Sequence, residues 1–322
     1  MSTLLPSSAP AGAVLRVNVL EQCQLDCGYC RPGTATPTAN QERLSSEHYA
    51  RLARALQGLV RKVRFTGGEP LLRPDFVEVV SAFRAGLPGV ALALTTNGAR
   101  LLPKLDALVD AGLDSATVHV DSLRPDRYRA LMGGGDLFAA LEAALEAKAA
   151  LSCVKLNVVV QRGLNEDELG DFLGWSARTG IEVRFIELMN TGSARDFTRA
   201  HFFSREEMLS MLAVHGAVDT LPRRHPGDPA TLHAVAGVTF GIISSDSTPF
   251  CGACDRLRLS PGGELRGCMY ERAGAPLGPL LRAHAPLADL RRLLTFACSQ
   301  KRSYHPSREG DPAPFSMAQR GG

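Results

Sequence analysis

The sequence predicts an α/β protein, an incomplete (β/α)6 barrel of the TIM type with a C-terminal extension covering its open side. Three observations carry that prediction. Short β-branched runs alternate with segments of helical apolar spacing, the mark of βα units around a parallel sheet. Six such units can be counted before the rhythm stops, fewer than the eight of a closed barrel. The composition then changes beyond a Pro- and Arg-rich stretch, so the chain is expected to divide into a partial barrel over residues 1–215 and an auxiliary region over 216–322 that completes the site.

The predicted strands are residues 14–20, 60–66, 91–97, 115–121, 155–160 and 182–188. Between them the helical patterns run over 45–56, 75–85, 102–111, 137–150 and 166–179, several opened by a Ser, Pro or Asp start signal. Residues 215–232 read as a linker or long loop, 239–245 as a further strand, and 293–300 as a helix. With 322 residues, 45% apolar and 21% charged, the chain can bury a large core, as one big domain or one and a half. Its start has no basic segment and no apolar stretch long enough to span a bilayer, so a cytoplasmic protein with no membrane partner is expected. A net charge of +3 is too small to argue for a nucleic-acid surface.

Strand faces point toward chemistry. A sheet wrapped by helices should be apolar on both sides. Counting by twos, one face instead collects Arg16, Asn18, Lys62, Arg64, Thr66, Thr95, Asn97, Thr117, His119, Asp121, Lys155 and Asn157. The alternate face, with Leu15, Val17, Val63, Phe65, Val118 and Leu156 among others, suits packing beneath helices. The barrel interior is therefore expected to be wet and cationic. Buried cations need a counter-charge, which a polyanionic ligand would supply.

Eight cysteines in a chain with no export signal point to metal ligation rather than disulfides. Three of them, Cys23, Cys27 and Cys30, stand in CxxxCxxC spacing just after the first strand. Three thiolates hold three irons of a 4Fe-4S cubane and leave the fourth iron open for chemistry. A structural zinc site is the plainer alternative, although zinc ligands usually come as two separated pairs. A second trio, Cys251, Cys254 and Cys268, follows the predicted strand at 239–245. After strand two comes Gly67-Gly68-Glu69-Pro70, where glycines allow close backbone approach and Glu69 can accept an ammonium group. Thr95-Thr96-Asn97-Gly98 ends strand three, and Met189 follows strand six. Barrel enzymes gather their chemistry at these carboxyl ends.

The first trio with Tyr29 resembles the signature of radical S-adenosylmethionine (SAM) enzymes. Nearly the whole chain resembles one family among them, GTP 3′,8-cyclase (molybdenum cofactor biosynthesis protein A). The resemblance rests on Arg16, the first trio, the stretch from Lys62 to Arg73 around GGEP, Thr95 to Gly98, Lys155-Leu156-Asn157, Arg184 to Met189, Phe250 to Leu259 with Cys268, and the final Gly321-Gly322. It implies two 4Fe-4S clusters, one on Cys23, Cys27 and Cys30 with SAM, the other on Cys251, Cys254 and Cys268 facing the guanine of GTP. It implies a SAM pocket of Tyr29, Gly68, Glu69, His119 and Met189. It implies GTP contacts from Arg16, Arg64, Thr95, Lys155, Arg256, Leu257 and Arg258, with Lys155, Arg256 and Arg258 in catalytic roles. The implied reaction takes hydrogen from ribose C3′ and joins that carbon to guanine C8. An electron donor such as a flavodoxin or ferredoxin, and a downstream cyclic pyranopterin monophosphate synthase, are the implied partners. A homodimer is among the assembly states that the sequence leaves open.

Departures from the family pattern are also legible. His119 stands where serine is usual, Glu21-Gln22 replaces Asp-Arg, Arg31 replaces a common methionine, and Asp255 replaces asparagine. His119 therefore reads either as a SAM contact or as a packed polar residue. Cys153 and Cys298 read as small buried residues, Trp175 as core, and the Arg291-Arg292 pair as packing and a solvated face. The expected activity is GTP cyclisation. The alternative is a paralogue with an auxiliary cluster, acting on a peptide or another nucleotide. A zinc-stabilised binding protein fits the inward cations and the GGEP loop poorly.

Overall fold

A computed structural model describes residues 12–30, 42–189, 195–271, 273–299 and 316–321. Alternation builds its centre: β1 (Ala13–Asn18) buries Leu15 and Val17 completely and turns Arg16 and Asn18 to the opposite side. The βα units then follow as α1 (Ser46–Ala55), β2 (Val60–Thr66), α2 (Phe76–Gly86), β3 (Ala91–Thr96), α3 (Leu105–Asp110), β4 (Ser115–His119), α4 (Pro125–Leu131), α5 (Leu137–Ala150), β5 (Cys153–Val160), α6 (Leu169–Thr179) and β6 (Glu182–Glu187). Ser45 caps α1, and its box is closed by the His48 side chain reaching back to the Ser45 N–H. Asp136 caps α5 through the N–H groups of Phe138 and Ala139. Phe65 of β2 meets Phe76 and Phe83 of α2 edge to face, and all three are fully buried, which fixes that helix on its strand.

The remainder contributes α7 (Arg195–His201), α8 (Arg205–Leu212), β7 (Asp219–Leu221), β8 (Thr231–Val235), β9 (Val238–Ile243), β10 (Arg256–Leu259), β11 (Glu264–Arg266), β12 (Ala275–Pro276), α9 (Leu277–Arg282), α10 (Leu287–Ser299) and the short helix α11 (Met317–Arg320). Strands form one mixed sheet in the order β12-β11-β10-β1-β2-β3-β4-β5-β6-β9-β8-β7, unclosed at its ends. β1 through β6 are parallel neighbours, as the six-unit reading expects. The extension joins at both margins: β10 lies parallel to β1 and β9 parallel to β6. The fold is thus the open α/β barrel expected from the sequence.

Some boundaries differ from expectation. The segments expected as helices over 102–111 and 166–179 each open with a 3-10 turn, Leu102–Lys104 and Glu166–Glu168, before the α-helix proper. The expected loop at 215–232 holds β7 and the start of β8, and the helix expected at 293–300 begins earlier, at Leu287. Arg291 donates to the carbonyls of Ala55 and Gln57 at the end of α1, whereas Arg292 is exposed beside Asp289. Trp175 and Cys298 are buried in the core. Among the described residues, no helix is long and apolar enough to cross a membrane.

Candidate active site

Register sets the chamber. Arg16 lies beside Arg64 on one side and Arg258 on the other, while Thr95, Thr117, Lys155 and Glu182 are successive partners across β3 to β6. Paired residues share a face, so these side chains converge inside. Arg64 donates to the hydroxyls of Thr95 (3.0 Å) and Thr117 (3.1 Å). Burial, then Arg184, lowers the Arg64 guanidinium to about 10; burial, then Arg258 and Arg64, holds Arg16 well below its usual range. Two chamber residues had no assigned ligand role on sequence, Lys62 and Arg184. Both lie inward, and the basic side chains alternating along 62–64 and at 184 were the available signal.

Lys62 gives a direct test of the chamber's demand for an anion. Burial, followed by the charges of Arg64, Lys155 and Arg184, pushes its ammonium from 10.5 down to about 7. Between those values the unfolded chain holds a proton that the folded chain lacks, so folded stability from this group rises with pH across that window. A bound polyanion restores the charge. Nucleotide binding at pH 8 is therefore expected to take up about one proton, measured as a buffer-dependent binding enthalpy. Lys62→Met should abolish that dependence.

The first cysteine loop is held by backbone contacts. Gly67 and Gly68 pass so close to the carbonyls of Leu20, Glu21 and Gln22 that neither could carry a side chain unmoved. Gly68 N–H donates to Leu20 O (2.7 Å) and Glu69 N–H to Gln22 O (2.8 Å). The Glu69 carboxylate is fully buried and accepts from Leu71 N–H, the Thr96 hydroxyl and Asn97 N–H at 3.0, 2.9 and 2.8 Å. Burial raises it to about 7 against the pull of those donors. Asn97 in turn points its amide at the Cys23 sulfur, 3.7 Å away. On the other side Met132 O accepts from Asp26 N–H, and Gly133, at φ 64°, packs its backbone on Asp26. The α4–α5 turn thus buttresses the loop, a part unforeseen from sequence.

Tyr29 closes a half-buried network around the buried Asp121. Its hydroxyl lies 2.5 Å from His119 Nε2 and donates to Asp121 Oδ2 at 2.9 Å, while His119 Nε2 lies 3.0 Å from Asp121 Oδ1. Asp121 also accepts from Val159 N–H at 2.7 Å. Burial opposes charge on His119, but Asp121 more than offsets it, so the imidazole pKa is raised. Burial and then Asp121 raise the Tyr29 phenol well above its usual value. His119 is thus both inward-facing and partnered.

The second trio lies at the entry end of β10, opposite the end that carries the first. Cys251–Ala253 form a 3-10 turn, and Cys254 N–H donates to Cys251 O at 3.2 Å. Glu187, fully buried at the end of β6, accepts from the N–H groups of Arg205, Asp246 and Ser247, tying this segment to the barrel. Arg256 lies over the Phe250 ring, 4.3 Å from its centroid. Burial, then Arg256, lowers Arg258 to about 10, against the pull of Cys268 and Cys254. Leu257 buries its side chain in the apolar core, leaving its backbone as the part that can meet a ligand. Met189, Tyr270 and Met317 pack against the buried Met269. The chain's end enters as well: Arg16 and Arg258 donate to Gly321 O, each at 3.2 Å, and Asn18 donates to Ala318 O at 2.9 Å. Arg31 and Gly322 fall outside the described residues.

Both trios fit iron clusters. All six thiols are partly exposed. Among the described residues no three thiol, imidazole or carboxylate groups converge on one ion's coordination sphere. A cubane takes one thiolate per iron, and each trio supplies three.

Comparison with known proteins agrees. Residues 17–175 match the radical SAM superfamily and 181–307 match Molybdenum Cofactor Synthesis C. A GTP 3′,8-cyclase of Heliobacterium modesticaldum is 40% identical over 320 residues, covering 96% of this chain and 97% of that one. The chain belongs to the GTP 3′,8-cyclase family. Another member, from Edwardsiella ictaluri, is 36% identical over 97% of this chain and 96% of its own length. Among solved structures, Streptococcus suis SuiB bound to S-adenosylmethionine superposes with a TM-score of 0.62, covering 87% of this chain and 68% of that chain, at 12% identity, a likeness of fold alone. The similarity to GTP 3′,8-cyclases thus spans both the radical SAM segment and the extension of this chain.

Proposed function

We propose that this chain is a GTP 3′,8-cyclase, converting GTP to (8S)-3′,8-cyclo-7,8-dihydroguanosine 5′-triphosphate in molybdenum cofactor biosynthesis, in reaction class a lyase. One observation carries the reading: a single cationic chamber lies between two thiol trios, with Arg16, Arg64 and Arg258 in one register row across β10, β1 and β2. When bound, the two clusters and SAM would supply one-electron reduction and hydrogen-abstraction chemistry for joining ribose C3′ to guanine C8.

This chain's own residues then bind and orient. Arg16, Arg64, Thr95 and Lys155 hold the triphosphate and ribose; guanidinium forks suit phosphate oxygens. Arg256 and Arg258, beside the second trio, hold the nucleotide against it. Cys23, Cys27 and Cys30 are the first cluster's ligands and Cys251, Cys254 and Cys268 the second's. Tyr29, Gly68, Glu69, His119 and Met189 line the SAM pocket; Gly68 lets the backbone approach, and Glu69 fixes the Thr96–Asn97 turn. The α11 segment excludes water from the row of arginines. A small electron-transfer protein supplies the reductant, and a synthase producing cyclic pyranopterin monophosphate consumes the product.

Anaerobic reconstitution tests this. The expected result is about eight irons per chain in two four-iron clusters, with 5′-deoxyadenosine and the cyclised nucleotide appearing in mass spectra only when GTP is present. SAM cleavage indifferent to GTP would overturn the reading. Cys254→Ser is expected to halve the iron and stop cyclisation.

A further inference from the structure

The stretch 222–229 straps the entry end of the barrel, where the strands begin. Arg223 holds it in shape, donating to Asp228 O at 2.8 Å and to the Thr231 hydroxyl at 3.0 Å. His225 adds bonds to the backbone of Gly227 and Asp228, each at 3.0 Å. At one side Gly227 is buried against Asp255, whose carboxylate would lie 2.5 Å from any Cβ there; Asp255 itself pairs with Arg61 of β2 at 2.8 Å. At the other side Arg224 reaches β6 and donates from one terminal nitrogen to Glu182 Oε2 at 2.7 Å. The strap therefore spans the floor from β10 to β6.

Glu182 is surrounded by cations. Besides Arg224 it faces Arg184 Nε at 2.8 Å and Lys155 Nζ at 3.6 Å, and its side chain is 12% exposed. One carboxylate cannot balance three positive groups, two of them largely buried, and the surplus favours an anion at the floor. Arg224 is the least committed of them: 55% of its side chain is exposed, and its Nε and other terminal nitrogen have no hydrogen-bond partner among the described residues. A guanidinium can hold a carboxylate on one edge and a phosphate on another.

We infer that Arg224 is a specificity-determining contact for the terminal phosphate of a nucleoside triphosphate, presented from the strap through the Glu182 pair. This rests on the GTP reading and deepens it. The row formed by Arg16, Arg64 and Arg258 serves the nearer phosphates, and Arg224 reads whether a third phosphate is there. Triphosphate is thereby preferred over diphosphate.

The test compares GTP and GDP affinities of the reconstituted full chain by anaerobic calorimetry. For Arg224→Ala, GTP affinity is expected to fall about tenfold and GDP affinity to stay within about twofold, the loss typical of one charge-assisted contact. Iron content should be unchanged. Arg224→Lys should recover part of the preference. Glu182→Gln removes the carboxylate charge but keeps a side-chain oxygen that can accept from Arg224, and should retain the GTP-to-GDP ratio. A tether role alone would make Glu182→Gln copy Arg224→Ala. Equal losses for both nucleotides, no change for either, or such copying would overturn the inference. Failure of the unaltered protein to bind GTP would instead sink the reading beneath it.

Discussion

Asp121→Ala is expected to destabilise the protein by about 3 kcal/mol and to lower Tm by roughly 4–5 °C. The carboxylate is fully buried and serves three donors from three parts of the chain: the Tyr29 hydroxyl, His119 Nε2 and the Val159 N–H. Removing it leaves a buried N–H and a half-buried phenol without their acceptor, and an imidazole without its counter-charge. The sign of the pH dependence follows from His119. Its pKa is raised in the fold, so the stability it contributes is fully present below the ordinary value of 6.5 and is lost as pH rises through the raised value. The substitution should therefore cost more at pH 6 than at pH 8. Thermal unfolding of iron-free protein at the two pH values checks this apart from activity. Iron loading should fall too, because Tyr29 is the neighbour of Cys30. A loss under about 1 kcal/mol would show that packing alone holds the ring.

Gly321→Val is expected to abolish most cyclisation while leaving iron content and SAM binding intact. Gly321 sits at φ 66°, and a Cβ there would come within 2.8 Å of Thr66 Cγ2. The left-handed backbone costs a β-branched residue about 1–2 kcal/mol before crowding is counted. The segment would leave the chamber, and Arg16 and Arg258 would lose the Gly321 carbonyl that both use. Two arginines would then be solvated where the nucleotide's orientation is set. The readout is uncoupling: 5′-deoxyadenosine formed in excess over cyclised nucleotide. Unchanged coupling would show that the tail is a bystander.

Where alternation was strong, structure was legible. The strand at Val60–Thr66 and the helix at Leu137–Ala150 fall where the sequence expects them, the first on its alternation from Lys62 to Phe65 and the second on a run of strong helix formers capped by Asp136. The inward polar face was read from period two alone, and the register confirms convergence of Arg16, Arg64, Thr117 and Lys155. The β8–β9 hairpin was missed on its first strand. Its signal was the two-residue turn Ala236-Gly237, both at positive φ, between alternating segments, but the preceding Pro and Gly residues masked it. The helix α4 has only seven residues and too few periods to stand out. No local pattern announces that β10 pairs with β1, since that contact is made across most of the chain. Glu69 shows how far a motif reading goes: its motif marks it as an acceptor, and tertiary structure adds the three internal donors.

That pairing of Val14 with Arg256 has a consequence for biogenesis. On the ribosome, the opening strand emerges early and keeps one row of peptide groups bare until the last quarter of the chain is made. Such a long sequence separation slows folding and leaves an adhesive margin during synthesis. A product truncated ahead of β10 would therefore self-associate through β1, and chaperone demand should be highest just before residues 256–259 leave the exit tunnel.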